Sequence, residues 1–171
     1  MSIENYSNSS NYSNYSYTNM GKPITSPCLI PVRHKSTPNC INSPFMVNGE
    51  VYRLTCLSFG TPHGAVFFEN IETVDINNIG KTLENHPLFP EGASIVFIQV
   101  LNKKQIKARL WQRGKGETPY TYEAVCVAMT SARMLQKIYS DDANVFMDDN
   151  KFHVNWKSLT NDVYVAGPIN T

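Results

Sequence analysis

The stretch EAVCVAMTSARMLQKIY, residues 123–139, decides the fold. Its apolar residues Val125, Val127, Met129, Ala132, Met134, Leu135 and Ile138 surround most of a helical axis instead of forming one stripe. A helix that is apolar on most sides belongs in a core, because it has no broad face that prefers water. The spacing predicts a long central helix over 123–139, and the other elements have to cover it.

On either side of that stretch the hydrophobic period shifts toward 2. Two strands are expected at 94–101 and 104–112, where Ile106, Ala108 and Leu110 alternate with Lys107, Arg109 and Trp111 after a turn at Asn102-Lys103. Further back, Tyr52, Leu54 and Cys56 alternate with polar neighbours, and Val66-Phe67-Phe68 follows a Gly60-Thr61-Pro62-His63 turn. Asp75 precedes Ile76, Ile79 and Leu83 at helical spacing and Pro87 forbids continuation, so 75–85 reads as a short capped helix. Short strands at 143–147, 152–156 and 162–166 close the chain. The sum is α+β, an antiparallel or mixed sheet wrapped around one long central helix.

Residues 1–19 are near-repeats of Asn, Ser and Tyr with almost nothing aliphatic to bury, so a disordered tail is expected there and a single folded domain over 20–171. The N-x-S triplets at Asn5, Asn8, Asn11 and Asn14 would matter only in a secreted chain. A length of 171 residues suits one domain. Apolar residues at 42% and charged residues at 17% fit a soluble globular protein, and a net charge of +1 makes no electrostatic case for nucleic acid. No apolar run approaches the roughly 20 residues of a membrane span. No basic-then-apolar leader opens the chain, so the cytoplasm is the expected location. Cys28, Cys40, Cys56 and Cys126 form no C-x-x-C pair and have no His at zinc-ligand spacing, so neither a metal nor another cofactor is expected, and in a reducing compartment they stay thiols.

Three stretches in fixed order carry a resemblance. They are Met20-Gly21-Lys22-Pro23 running on to Thr55-Cys56-Leu57-Ser58-Phe59-Gly60-Thr61-Pro62-His63; then Glu84-Asn85-His86-Pro87-Leu88-Phe89-Pro90-Glu91; then Trp111-Gln112-Arg113-Gly114-Lys115-Gly116-Glu117-Thr118 followed by the helix. In this register, from about Met20 to Pro168, the chain resembles the C-terminal half of the diaminopimelate epimerases, cofactor-free enzymes of lysine and peptidoglycan synthesis. The resemblance implies two similar halves facing each other across a substrate cleft, each contributing one cysteine. One thiolate removes the α-proton while the opposite thiol delivers a proton to the other face, so inversion needs two acid–base groups. The first half, with its cysteine, is not represented among these residues.

The second cysteine position is occupied by Thr121, because after G-E-T the family reads roughly L-A-C-G-T-G-A-C where this chain has Pro119-Tyr120-Thr121-Tyr122-Glu123-Ala124-Val125-Cys126. A Thr hydroxyl is far too weak an acid to ionise near neutral pH, whereas a thiol near ~8.5 can be tuned into range. Cys126 is expected to be a buried small residue on the helix. The family's small residues after the cysteine let helix N-terminal amides hold the substrate carboxylate; Tyr122 and Glu123 stand in their place, one filling space and one adding negative charge. Among the other substrate-binding positions, Asn becomes Thr61, a second Asn becomes Ser94, and the Glu before the motif arginine becomes Gln112. His63 and Arg113 survive as candidates to touch an acidic ligand, His63 also as a candidate base. Their structural alternatives are a turn histidine satisfied by backbone and an arginine paired with Glu117.

The expectation is therefore a truncated, epimerase-like pseudoenzyme without autonomous activity, its partner being a second copy in a homodimer or a full-length epimerase, and a small amino-acid-like ligand being a further partner. The alternatives are one half of a two-chain epimerase and a repurposed small-molecule or protein-binding module. Proline racemases, related by fold, also use paired cysteines and offer no route around the missing thiol.

Overall fold

A computed structural model describes residues 2–5, 15–33 and 39–169. Its strands are β1 (Ser2–Asn5), β2 (Ser16–Gly21), β3 (Ser43–Val47), β4 (Glu50–Ser58), β5 (Pro62–Phe67), β6 (Ser94–Asn102), β7 (Gln105–Gln112), β8 (Gly116–Thr118), β9 (Asp142–Met147), β10 (Asn150–Trp156) and β11 (Val163–Ala166). The α-helices are α1 (Ile76–Glu84) and α2 (Tyr122–Met134). The strands form one mixed sheet in the order β1-β2-β11-β10-β9-β7-β6-β5-β4-β3, with β8 paired to β7. Most neighbours are antiparallel; β5–β6 and β7–β9 are parallel, each joined through a helix.

The fold is thus mostly sheet with few helices, and the expected long helix is corrected to 13 residues. It ends in a Schellman cap: Lys137 N donates to Ala132 O at 2.8 Å and Gln136 N to Arg133 O at 3.0 Å, with Gln136 at φ 58°. A glutamine rather than a glycine takes the left-handed residue, so the sequence carries no stop signal there. Residues 124–132 of α2 are all buried, and the helix touches β4, β5, β6, β7, β9, β10 and β11. That burial is what its all-round apolar pattern requires.

Alternation along the strands divides the main interior in two, beside a small third cluster of Tyr17, Tyr164 and Ala166. Val96 and Ile98 of β6, with Ile106, Ala108 and Leu110 of β7, face α2. Ile95 and Phe97 face the other way, joining Ile76 and Leu83 of α1, Leu54 and Phe45. Helix α1 begins at an Asp75 cap, its carboxylate accepting from Asn78 N, as the sequence predicts.

The tail expectation over 1–19 is also corrected where residues are described. Ser16–Gly21 is a strand paired with β11, and Tyr17 is 1% exposed. Its hydroxyl meets Nδ1 of buried His153 at 2.8 Å, while Nε2 of that ring meets Asp142 Oδ2 at 3.0 Å. The His153 ring holds the Asp142 carboxyl well below the usual carboxylate range, outweighing its partial burial. Ser2–Asn5 pairs with β2, and residues 6–14 lie outside the described set.

Candidate functional site

Thr121 sits at the N-cap of α2 with extended backbone angles, and its hydroxyl accepts from Ala124 N at 3.1 Å. Thr, with a short side-chain oxygen, satisfies one of the donors that a helix start leaves open. Glu123 lies in the first turn, where a carboxylate suits the positive end of the helix dipole. Tyr122 donates its hydroxyl to Gly167 O at 2.9 Å and sets its ring edge-on to Phe152, so its side chain is engaged in tying α2 to the end of β11. Tyr120 also packs edge-on against Phe152, 4.8 Å between ring centroids.

His63 is the second residue of β5 rather than part of a turn, and is 2% exposed. Its Nδ1 lies 2.9 Å from Thr61 O. A carbonyl can only accept, so Nδ1 carries the proton and Nε2 keeps a lone pair. Burial is the main influence on this ring and pulls its pKa below the ordinary value; the Thr61 bond and the Glu123 charge pull it up, and the Arg113 charge pulls it down.

The parallel register of β5 and β6 places Ser94 beside His63. Ser94 Oγ accepts from Arg113 N at 3.0 Å, fixing the turn after β7 against the start of β6. Arg113 Nη1 donates to Glu91 O at 3.2 Å. The structure thus gathers Thr61, His63, Ser94 and Arg113, with Glu123 of α2 near enough to His63 for its charge to act on the ring. Gln112 stays one step away: its Oε1 accepts from Thr118 Oγ1 at 3.0 Å and closes the β7–β8 hairpin.

The structural alternative for Arg113, a pair with Glu117, does not hold. Glu117 binds Arg109, with Nε and Nη2 both 2.8 Å from Oε1, and does not pair with Arg113. In the hairpin register Glu117 stands opposite Trp111, and Arg109 lies two residues further along the same face, whereas Arg113 is in the turn. Glu84 escaped the sequence reading as a positioning group. Its carboxylate accepts from Trp111 Nε1 at 2.8 Å and Gly114 N at 3.0 Å, locking α1 to the arginine-bearing turn. The motif contained it, but its neighbours in sequence give no hint of that reach.

No thiol joins this group among the described residues. Cys126 is buried in the α2 core, and burial, then the Glu123 charge, push its pKa far up. Cys40 and Cys56 belong to the opposite core. The site therefore offers one neutral imidazole with a free lone pair and one guanidinium. A large open cavity of about 770 Å3, lined by Glu72, Lys107, Arg109, Glu117, Asp148 and Asp149 among others, contains none of the predicted site residues.

Comparison with known proteins agrees with the motif reading. The family profile described as diaminopimelate epimerase matches residues 55–171. The diaminopimelate epimerase of Moorella thermoacetica is 33% identical over 149 residues, covering 87% of this chain and 53% of the relative. That of Desulfovibrio desulfuricans is 33% identical over 153 residues, covering 86% and 53%. The chain spans about half the length of these curated relatives. Among solved structures, a hydroxyproline epimerase from Agrobacterium vitis superposes with a TM-score of 0.59 at 10% identity, covering 88% of this chain and 49% of that one. A phenazine biosynthesis protein of Bacillus anthracis gives 0.58 at 13%, covering 96% and 60%, a likeness of fold alone. With the family profile spanning more than half of its residues, the chain belongs to the diaminopimelate epimerase family.

Proposed function

We propose that this chain, taken by itself, is a cytoplasmic, non-catalytic member of the family that does not epimerise diaminopimelate. The observation that carries the reading is Thr121, whose hydroxyl stands at the family's cysteine position and is committed as an acceptor to Ala124 N. Two-face proton exchange at an α-carbon needs a base on one side and an acid on the other. His63 supplies one buried imidazole whose pKa burial pulls below its ordinary value, and among the described residues no thiol joins it. Arg113 fits an acidic, amino-acid-like ligand, whereas Tyr122 and Glu123 at the start of α2 oppose the family's carboxylate grip, so retained binding without turnover would rest on Arg113. A second copy or a full-length epimerase is the partner that would cover the open side of the site.

A second reading, one half of a two-chain epimerase, draws on the retained His63, Arg113, Gly114, Gly116, Glu117 and Thr118. One experiment addresses both. Proton NMR of LL-diaminopimelate in D2O follows loss of the α-proton signal with the chain alone and with a full-length epimerase at limiting concentration. The expected result is no exchange beyond the buffer blank from the chain alone. Saturable exchange by the chain alone that disappears in His63→Gln overturns the proposal.

A further inference from the structure

Two cysteines outside the site lie closer than packing alone requires. Cys40, just before β3, and Cys56, near the end of β4, are both buried, and the Cys40 S–H donates to Cys56 Sγ across 3.1 Å. Their backbones are joined as well, Cys56 N donating to Cys40 O at 2.8 Å. A disulfide needs about 2.05 Å between sulfurs, so closure asks for a shift of roughly 1 Å in two short side chains.

We propose that Cys40 and Cys56 form a peroxide-oxidisable dithiol, a modification site that closes a disulfide across the β3–β4 hairpin. The inference does not rest on the functional reading above. The Cys40 thiolate attacks one peroxide oxygen, the O–O bond breaks, hydroxide leaves, and Cys40 becomes a sulfenic acid. Cys56 sulfur then attacks the Cys40 sulfur; the S–S bond forms, the S–OH bond breaks, and the departing hydroxide takes the Cys56 proton as water. Two thiols and one peroxide thus become one disulfide and two waters. The pair is asymmetric in the sense the order of steps requires. Once Cys40 ionises, the Cys56 S–H turns to donate to it, which with a Ser43 bond keeps the Cys40 pKa below its ordinary value despite burial. Burial, followed by the Cys40 interaction, pushes Cys56 well up. Cys126, the other buried thiol, has no cysteine beside it and serves as an internal control.

The test uses the full chain carrying Cys28→Ser, which removes the exposed thiol. Hydrogen peroxide is added, excess is quenched, and thiols are alkylated in denaturant before intact-mass and peptide analysis. The expected product is about 2 Da lighter before alkylation, takes up one alkyl group instead of three, yields a crosslinked 40–56 peptide, and returns to three groups after dithiothreitol. In the additional Cys56→Ala background the mass loss vanishes and oxygen accumulates on Cys40. The proposal fails if the peroxide-treated Cys28→Ser protein keeps three alkylatable thiols, or if its only disulfide joins two chains.

Discussion

At position 121 the hydroxyl acts through one hydrogen bond, to Ala124 N, and that fixes what substitutions will do. Thr121→Ala removes the cap oxygen and is expected to cost about 1 kcal/mol of stability, while Thr121→Ser keeps the acceptor and costs less. Urea titrations of the two variants should separate by that margin; equal midpoints would mean that the cap contributes nothing. His63 makes a pH prediction. Its folded-state pKa is below the unfolded value of about 6.5, so in the window between the two the unfolded chain binds the extra proton. Its contribution is fully present above that window and is lost as pH falls through it. Stability measured from pH 7.5 to 5 should therefore drop more steeply for the native chain than for His63→Gln, and parallel curves would show that the ring does not titrate out of its buried state. The motif gave the identity of His63 and Arg113 from sequence and, among the alternatives, a backbone partner for His63, which Thr61 O supplies, but not the partners of Arg113. Glu117 is four residues from Arg113 along the chain, yet the hairpin register hands it to Arg109, and no residue pattern displays a register.

Among the elements, α1 depends on a close approach that a helix-propensity argument gets wrong. Gly80→Ala ordinarily favours a helix by up to about 1 kcal/mol. Here a Cβ at Gly80 would lie 2.5 Å from Trp111 Cγ, so the indole or the helix must move. The variant is expected to be less stable by about 1–3 kcal/mol, the range for overpacking, with altered Trp111 fluorescence. A stabilised variant would mean that the α1–β7 contact is loose. Strand β2 illustrates the limit of composition as a guide. An Asn, Ser and Tyr stretch reads as a solvated leader, but Tyr17 is buried and bonded to His153, 136 residues away in sequence. Tyr17→Phe should cost about 1 kcal/mol, and native-state hydrogen exchange should show it as reduced protection confined to β2 and its neighbour β11. Helix α1 and strands β6, β7 and β9–β11 were legible because an Asp cap, Pro87 and period-2 alternation all act locally. The end of α2, β2 and β3 were not, since a glutamine C-cap and long-range pairing leave no local mark.

Across the whole molecule the two interiors share their wall. Strand β6 sends Val96 and Ile98 to the α2 side and Ile95 and Phe97 to the α1 side, so neither core can open without uncovering the other face of the same strand. Removing the α1 layer would expose residues held at essentially zero accessibility, each worth roughly 1.5–3 kcal/mol of burial, against a total stability of only about 5–15 kcal/mol. The two sides should therefore unfold as one cooperative unit. The tryptophans report on them separately: Trp111 packs against the α1 side, and Trp156 against the α2 side with Arg133 4.8 Å over its ring. In Trp156→Phe the remaining fluorescence follows the first core, and in Trp111→Phe it follows the second. Within each variant the fluorescence and far-UV circular dichroism transitions in urea should coincide. A fluorescence midpoint that departs from the dichroism midpoint of its own variant would show that one face of the sheet can be stripped while the other holds, and that the chain behaves as two stability units rather than one.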